Sequence, residues 1–124
     1  MPHEAIEMTR AEMLAFFGAQ RWVALGTLDP DGTPVGDVVP VLLDAERLCV
    51  AGPRGSRAHE NVARDPRVCC AADEFPSYYE IRGATAHGRA KARSGERLGP
   101  DWVEYVLALD DVASFDFRKI RRAY

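Results

Sequence analysis

Apolar and polar residues change their spacing several times along the chain, and each change marks an element. Thr9-Arg10-Ala11-Glu12 has the Thr-x-x-Glu spacing in which side chain and backbone cap each other at a helix start. Met13, Leu14, Phe16 and Phe17 follow at helical spacing and Gly18 ends the pattern, so a first amphipathic helix is predicted. From Arg21 the spacing alters: WVALGTL reads as a strand, closed by Asp29-Pro30-Asp31-Gly32-Thr33-Pro34, residues that preset turns or accept positive φ. VGDVVPVLL and RLCVAG are further strand runs separated by Asp44-Ala45-Glu46, and the three strands together predict an antiparallel meander.

In the second half, Pro53-Arg54-Gly55 is a loop leading into a short helix from Ser56 to Arg64. That helix ends at Asp65-Pro66, because proline disfavours helical geometry in the residue before it. RVCCAAD predicts a strand, EFPS a connection, and the run from Tyr78 to Arg93 a longer strand in which Gly83 and Gly88 mark bulges or close backbone approach. Pro100 suits the first turn of a helix, and Trp102, Tyr105, Val106 and Leu109 recur at i, i+3, i+4 and i+7, which predicts a third helix before VASFDFRKI closes as a last strand. Short strands with regular turns and few helices point to a small barrel or sandwich, since closing a sheet removes its exposed edges. The helices then plug its ends.

Composition narrows the function. The 124 residues, 47% hydrophobic and 28% charged, suit one globular domain spanning 1–124 with a real core. A net charge of −3 argues against a nucleic-acid or anionic-membrane partner, either of which would reward a basic face. No apolar run approaches the roughly 20 residues of a membrane span, and no basic segment precedes a long apolar one, so a soluble cytoplasmic protein is expected. Cys49, Cys69 and Cys70 are odd in number and lack paired C-x-x-C units, so buried free thiols are expected. His3, His59 and His87 lack helical metal-ligand spacing, and no metal site is expected. No G-x-S-x-G elbow is present, and no side chain is assigned as a catalytic residue.

One segment carries chemistry, GPRGSRAHENVARDPRV from Gly52 to Val68. A glycine-containing loop that opens a helix exposes backbone N–H groups at the positive end of its dipole, where an anion fits. Ser56 stands at the N-cap, and Arg54 and Arg57 flank it with guanidinium groups suited to gripping phosphate. The same spacing also suits a plain helix cap with two solvated arginines.

GSRAHENVARDPRV resembles the segment of the pyridoxamine phosphate oxidase-like split barrels in which glycine and Ser-Arg precede an Asn-Leu and an Asp-Pro-Arg-Val. The first helix, TLDPDGTPVGDVVPV, RLCVAG, RGATAHGRA and SFDFRK are similar to that family in order and spacing. The resemblance implies a mainly β fold, a six-stranded antiparallel Greek-key split barrel of the flavin-binding type. It also implies a homodimer that holds flavin mononucleotide (FMN), or a deazaflavin coenzyme, in a groove between subunits. An oxidoreductase acting on a small-molecule substrate would follow. By position, Ser56 and Arg57 match the phosphate-binding pair with Arg54 as a supplement, Ala51 and Gly52 the strand end beside the ribityl chain, and Val39, Pro40 and Val41 the strand whose backbone faces the ring.

The chain departs from the family pattern at several of these places. Ala58 stands where many members have lysine, Asp37 where flavin-binding oxidases have a strand arginine, Leu42 at a basic position and Gly83 in place of a glutamine. The C-terminal elements that read pyridoxamine phosphate are not evident, so that reaction is not expected. A non-catalytic flavin or haem carrier, with His87 open as an axial ligand, or a cofactor-free dimer, is the rival reading. Arg118, Lys119, Arg121 and Arg122 form a basic tail, read as a solvated end.

Overall fold

The computed structural model describes residues 6–42, 44, 47–76, 80–94 and 97–119. His3, Tyr78, Tyr79, Arg121 and Arg122 lie outside them. Helix α1 (Arg10–Gly18) begins as expected: the Thr9 side chain accepts from Glu12 N at 3.1 Å, and the Glu12 carboxylate accepts from Thr9 N at 3.0 Å. The helix drives Met13, Phe16 and Phe17 into the barrel interior. Each such side chain contributes about 1.5–3 kcal/mol when fully buried, so this face anchors the helix.

Six strands follow, β1 (Trp22–Leu28), β2 (Pro34–Leu42), β3 (Leu48–Pro53), β4 (Arg67–Glu74), β5 (Arg82–Ser94) and β6 (Trp102–Asp116), with α2 (Arg57–Arg64) between β3 and β4. They close in the order β1-β2-β3-β6-β5-β4, every neighbouring pair antiparallel. The fold is therefore the mainly β, six-stranded barrel expected. The β1–β2 turn uses Gly32 at φ 86°, a conformation open to glycine, with Asp29 N donating to Thr33 O at 2.9 Å. The link from β3 to β4 crosses the barrel, carrying α2, whose Ala58, Asn61 and Val62 are buried.

The predicted third helix is absent: residues 102–116 form one long strand, β6, which also takes in most of the expected last strand. Trp102, Tyr105, Val106 and Leu109 fit a helical face, but the buried apolar residues are Val103, Tyr105, Leu107 and Leu109, a period of two, with Glu104 buried beside them in ion pairs with Arg93 and Arg97. The strand has a partner on each side, β3 and β5, so its backbone groups are paired in the sheet. The pairing shifts between His87↔Asp111 and Gly88↔Leu109, which leaves Asp110 as the extra residue of a bulge. The bulge reverses the phase of β6, so that Asp116 rather than Phe115 is buried beyond it.

Cys49 and Cys70 are buried and Cys69 half-buried, all as free thiols. Burial pushes the Cys70 thiol up to about 12. Among the described residues no helix is long and apolar enough to cross a membrane.

Candidate functional site

The barrel is weakest at one seam. β2 and β3 pair only through Val41↔Val50 and Leu42↔Cys49, and the next residue back along β2, Pro40, has no N–H with which to continue the ladder. Beyond that point β2 pairs with β1 alone while β3 pairs with β6 through Pro53↔Trp102, and the two strands part. Val41 N donates to Arg21 O at 3.0 Å, and the unbroken β1–β2 register then directs Val39, Asp37 and Val35 toward β1. Gly36 and Val38 therefore turn their backbone N–H and C=O groups away from β1 and into the split. Val38 is 74% exposed.

The expected site residues converge on this split, in different roles. Val39 is buried in the core, Pro40 and Val41 are half-buried, and Ala51 and Gly52 are buried at the end of β3. Gly52 lies over the ring of Tyr105, where an added Cβ would meet Cε2 at 3.3 Å and the phenol oxygen at 3.6 Å. Tyr105 is fully buried, and among the described residues its hydroxyl makes no hydrogen bond of good geometry, with the Ser56 hydroxyl close by. Burial pushes the Tyr105 phenol up; the neighbouring Ser56 hydroxyl opposes that and Asp37 adds to it. An orphaned hydroxyl thus lies beneath Gly52, beside the start of α2. A buried polar group without a partner costs about 1–3 kcal/mol, which a ligand hydroxyl or carbonyl would recover.

Ser56 caps α2, its Oγ accepting from His59 N at 3.2 Å, while Gly55, at φ 77°, donates its N–H to His59 Nδ1 at 2.9 Å. The first helical N–H groups, those of Arg57 and Ala58, have no hydrogen-bond partner among the described residues. The two arginines are otherwise engaged. Arg54 Nε donates to Pro100 O at 2.9 Å and its Nη2 to Trp102 O at 3.4 Å. Arg57 grips Asp29 with two parallel bonds, Nε to Oδ1 at 2.9 Å and Nη2 to Oδ2.

Asp29 is held from behind as well. Buried Asn61 donates to Asp29 Oδ1 and to Thr27 Oγ1, each at 3.0 Å, and its own Oδ1 accepts from Arg64 at 2.9 Å. The Arg57 guanidinium, then Asn61, hold the Asp29 carboxyl below its ordinary value, and Asp29 in turn raises Arg57. Asp37 and Asp31 add to the field at Arg57. Asp29, Asn61 and Tyr105 were not among the residues expected here, and all three shape the corner.

The split therefore fits part of a flavin and not all of it. Free amide groups at Gly36 and Val38, small residues at Ala51 and Gly52 and an orphaned phenol suit a planar ring with a hydroxylated chain. A corner whose arginines each have one edge already engaged and whose carboxylates number three does not suit a phosphate dianion. Elsewhere, His87 and Cys69 are paired across β5 and β4 at a shallow groove of 280 Å³. No group of three or more His, Cys, Asp or Glu residues able to hold a metal occurs among the described residues.

Comparison with known proteins gives a concordant result. The family model "Pyridoxamine 5'-phosphate oxidase" matches residues 9–111. A conserved hypothetical protein of Mycobacterium tuberculosis has a similar structure, with a TM-score of 0.83 at 20% identity, covering 94% of this chain and 90% of that one. An F420 reductase aligns with a TM-score of 0.68 at 18% identity, covering 80% of this chain and 94% of that one. The haem storage protein HutZ of Vibrio cholerae aligns at 0.66 and 16% identity, covering 86% and 94%. At these identities the likeness is one of fold. No curated protein matches the sequence.

Proposed function

The chain belongs to the pyridoxamine 5'-phosphate oxidase family, and from that premise we propose that it binds a flavin or deazaflavin coenzyme in the β2–β3 split and passes electrons or hydride to a small-molecule substrate. The observation that carries this reading is the split itself, which leaves the β2 edge at Gly36 and Val38 without a β3 partner, near small residues at Ala51 and Gly52 and the buried Tyr105 hydroxyl beneath Gly52. When bound, such a ring supplies the redox chemistry, and the protein's part is to hold and orient it.

Each residue has a defined task in that picture. The amides of Gly36 and Val38 hydrogen-bond the polar edge of the ring. Val39 and Val41 keep the core beneath β2 apolar, and Pro40 ends the ladder so that the ring has an edge to meet. Ala51 and Gly52 let the chain approach the backbone closely, within reach of the Tyr105 and Ser56 hydroxyls. Arg57 and Arg54 fix the loop that frames the corner. No side chain acts as general acid or base.

The active form is proposed to be a homodimer. Val38 and Trp22, 74% and 58% exposed, project from the outer face of β2 and β1, an apolar surface continuous with the split. A second copy covering it would exclude water from the ring. The relation to an F420 reductase supports the deazaflavin option and that to HutZ raises haem. His87 is exposed on β5, on the opposite side of β1 from the split in the sheet order, so the geometry favours the flavin-type ring.

The test is titration of the purified protein with flavins and a deazaflavin, followed by fluorescence, with light scattering for the dimer. Saturable quenching and a doubled mass are expected. The absence of any spectral change with every ring tested would refute the reading.

A further inference from the structure

Resting on that reading of the split, we propose that the coenzyme chain received at the Ser56–Arg57 corner is uncharged, so that this protein takes a ring with a free ribityl chain in preference to its phosphate ester. The corner has the shape of a phosphate site and the charge of a site already filled. Arg57 is the one arginine placed at the helix start, and the Asp29 carboxylate occupies the Nε–Nη2 edge of its guanidinium and balances its charge. A carboxylate presents to that fork a pair of acceptor oxygens, as a phosphate would. Asp29 stands in for the ligand anion.

Displacing Asp29 is costly because the carboxylate cannot swing into water and leave the network intact. Its side chain is only 12% exposed, and it is fixed by Asn61, which is 2% exposed and bound on its other side to Thr27 and Arg64. A phosphate arriving at Arg57 would leave Asp29 in place beside it with its cation shared. It would also meet Asp37, which faces Arg57 and Tyr105 from β2, and Asp31 in the neighbouring turn. A phosphate monoester carries about −1.5 to −2 at neutral pH, so each of these approaches is a like-charge contact.

Arg54 does not offset this, since its guanidinium serves the Pro100 and Trp102 carbonyls. Position 58 is a buried alanine. A terminal hydroxyl of a ribityl chain meets none of these penalties. It can donate to Ser56 and accept from the first helix N–H groups.

The experiment compares riboflavin with FMN on the intact wild-type protein by fluorescence quenching, at low salt and at 0.5 M NaCl. Riboflavin is expected to bind at least tenfold more tightly at low salt. Added salt should tighten FMN binding severalfold by screening the repulsion while leaving riboflavin unchanged. Asp37→Asn, a change at an exposed strand position, should tighten FMN at least fivefold with riboflavin held within twofold. Asp29→Asn, which frees Arg57, should do so more strongly.

FMN binding equally or more tightly than riboflavin in the wild type, or weakening with salt, would overturn the proposal and leave the flavin reading standing. Binding of neither compound would overturn the proposal, and the absence of deazaflavin binding as well would overturn the flavin reading with it. If Asp29→Asn fails to fold, the salt response and Asp37→Asn still decide.

Discussion

Removing the Tyr105 hydroxyl should raise stability and lower ligand affinity, two effects that a purely structural tyrosine would not combine. Tyr105→Phe keeps the ring against Gly52 and deletes only the atom that is fully buried without a partner. Such an atom carries a desolvation cost of about 1–3 kcal/mol, part of which the protein recovers by local adjustment, so a gain of about 1 kcal/mol is expected. Folding entropy for a chain of 124 residues makes 1 kcal/mol worth about 4 °C in melting temperature. The ligand-free variant should therefore melt about 4 °C above wild type by circular dichroism. The same atom is proposed to bond the coenzyme chain, and a neutral hydrogen bond of about 0.5–1.5 kcal/mol corresponds to a two- to tenfold loss of affinity. Riboflavin quenching measures that directly. A variant that melts 4 °C or more below wild type would show that the hydroxyl has a partner in the folded protein. Unchanged affinity would remove it from the site.

Other expectations concern the frame around the site. A Cβ at Gly88 would overlap the Ala108 carbonyl oxygen and stand 2.8 Å from its carbon and 3.0 Å from Leu109 Cα, all backbone, so Gly88→Ala should cost about 3–5 kcal/mol in urea unfolding. Gly18→Ala, with nothing within 4 Å, is the control and should be neutral or slightly stabilising. Lys119 holds the Glu12 carboxyl at about 2, below its ordinary 4.5. The ionised carboxylate therefore stabilises the fold fully above pH 4.5, and this is lost as pH falls toward 2. Glu12→Gln should flatten the acid-unfolding curve over that window. Iodoacetamide on native protein should modify half-buried Cys69 before Cys49 or Cys70, both buried and both pushed up by burial; peptide mass spectrometry that finds Cys70 first would contradict this. Ala58→Lys should destabilise by about 1–3 kcal/mol in the same urea assay, because position 58 lies on the buried face of α2 and a lysine there must displace its neighbours.

Local signals in the sequence reached far into the fold. The Thr9–Glu12 cap, the Asp29–Pro34 turn, the Ser56 cap and the Asp65-Pro66 stop are decided within a few residues, and all stand where the spacing put them. β6 departs from the predicted helix because VEYVLALDDVASFD satisfies two periods at once. Trp102, Tyr105, Val106 and Leu109 make a helical stripe, while Val103, Tyr105, Leu107 and Leu109 make a strand face, and only the neighbours β3 and β5 decide between them. The bulge at Asp110 hid the strand further by breaking its alternation midway. Within the site, Ser56 and Arg57 were legible because they adjoin. Asp29 lies 28 residues before Arg57, so its grip on that arginine depends on barrel closure. Whether Val38 or Val39 turns its amide into the split depends on β1–β2 register, which composition cannot set.

The corner at α2 separates two properties that usually travel together. Its shape follows from Gly55 at positive φ, the Ser56 cap and the end of β3 at Pro53, none of which carries charge. Its potential follows from Asp29, Asp31 and Asp37, which come from the β1–β2 hairpin and approach from across the split. The hairpin can change its charges without moving the helix, so a family resemblance that rests on the Gly-Ser-Arg segment identifies the cradle and leaves its occupant to the opposite wall. Asp37 shows how little structure such a change requires: it is exposed, on a strand edge, and makes no hydrogen bond through its side chain among those described. In Asp29 the change is built in more deeply, because Asn61 and Thr27 hold the carboxylate against Arg57 from inside the barrel. A fold that fixes that carboxylate with a buried asparagine has made the Asp29–Arg57 pair part of its frame, and the proposed preference for an uncharged coenzyme chain rests on that pair.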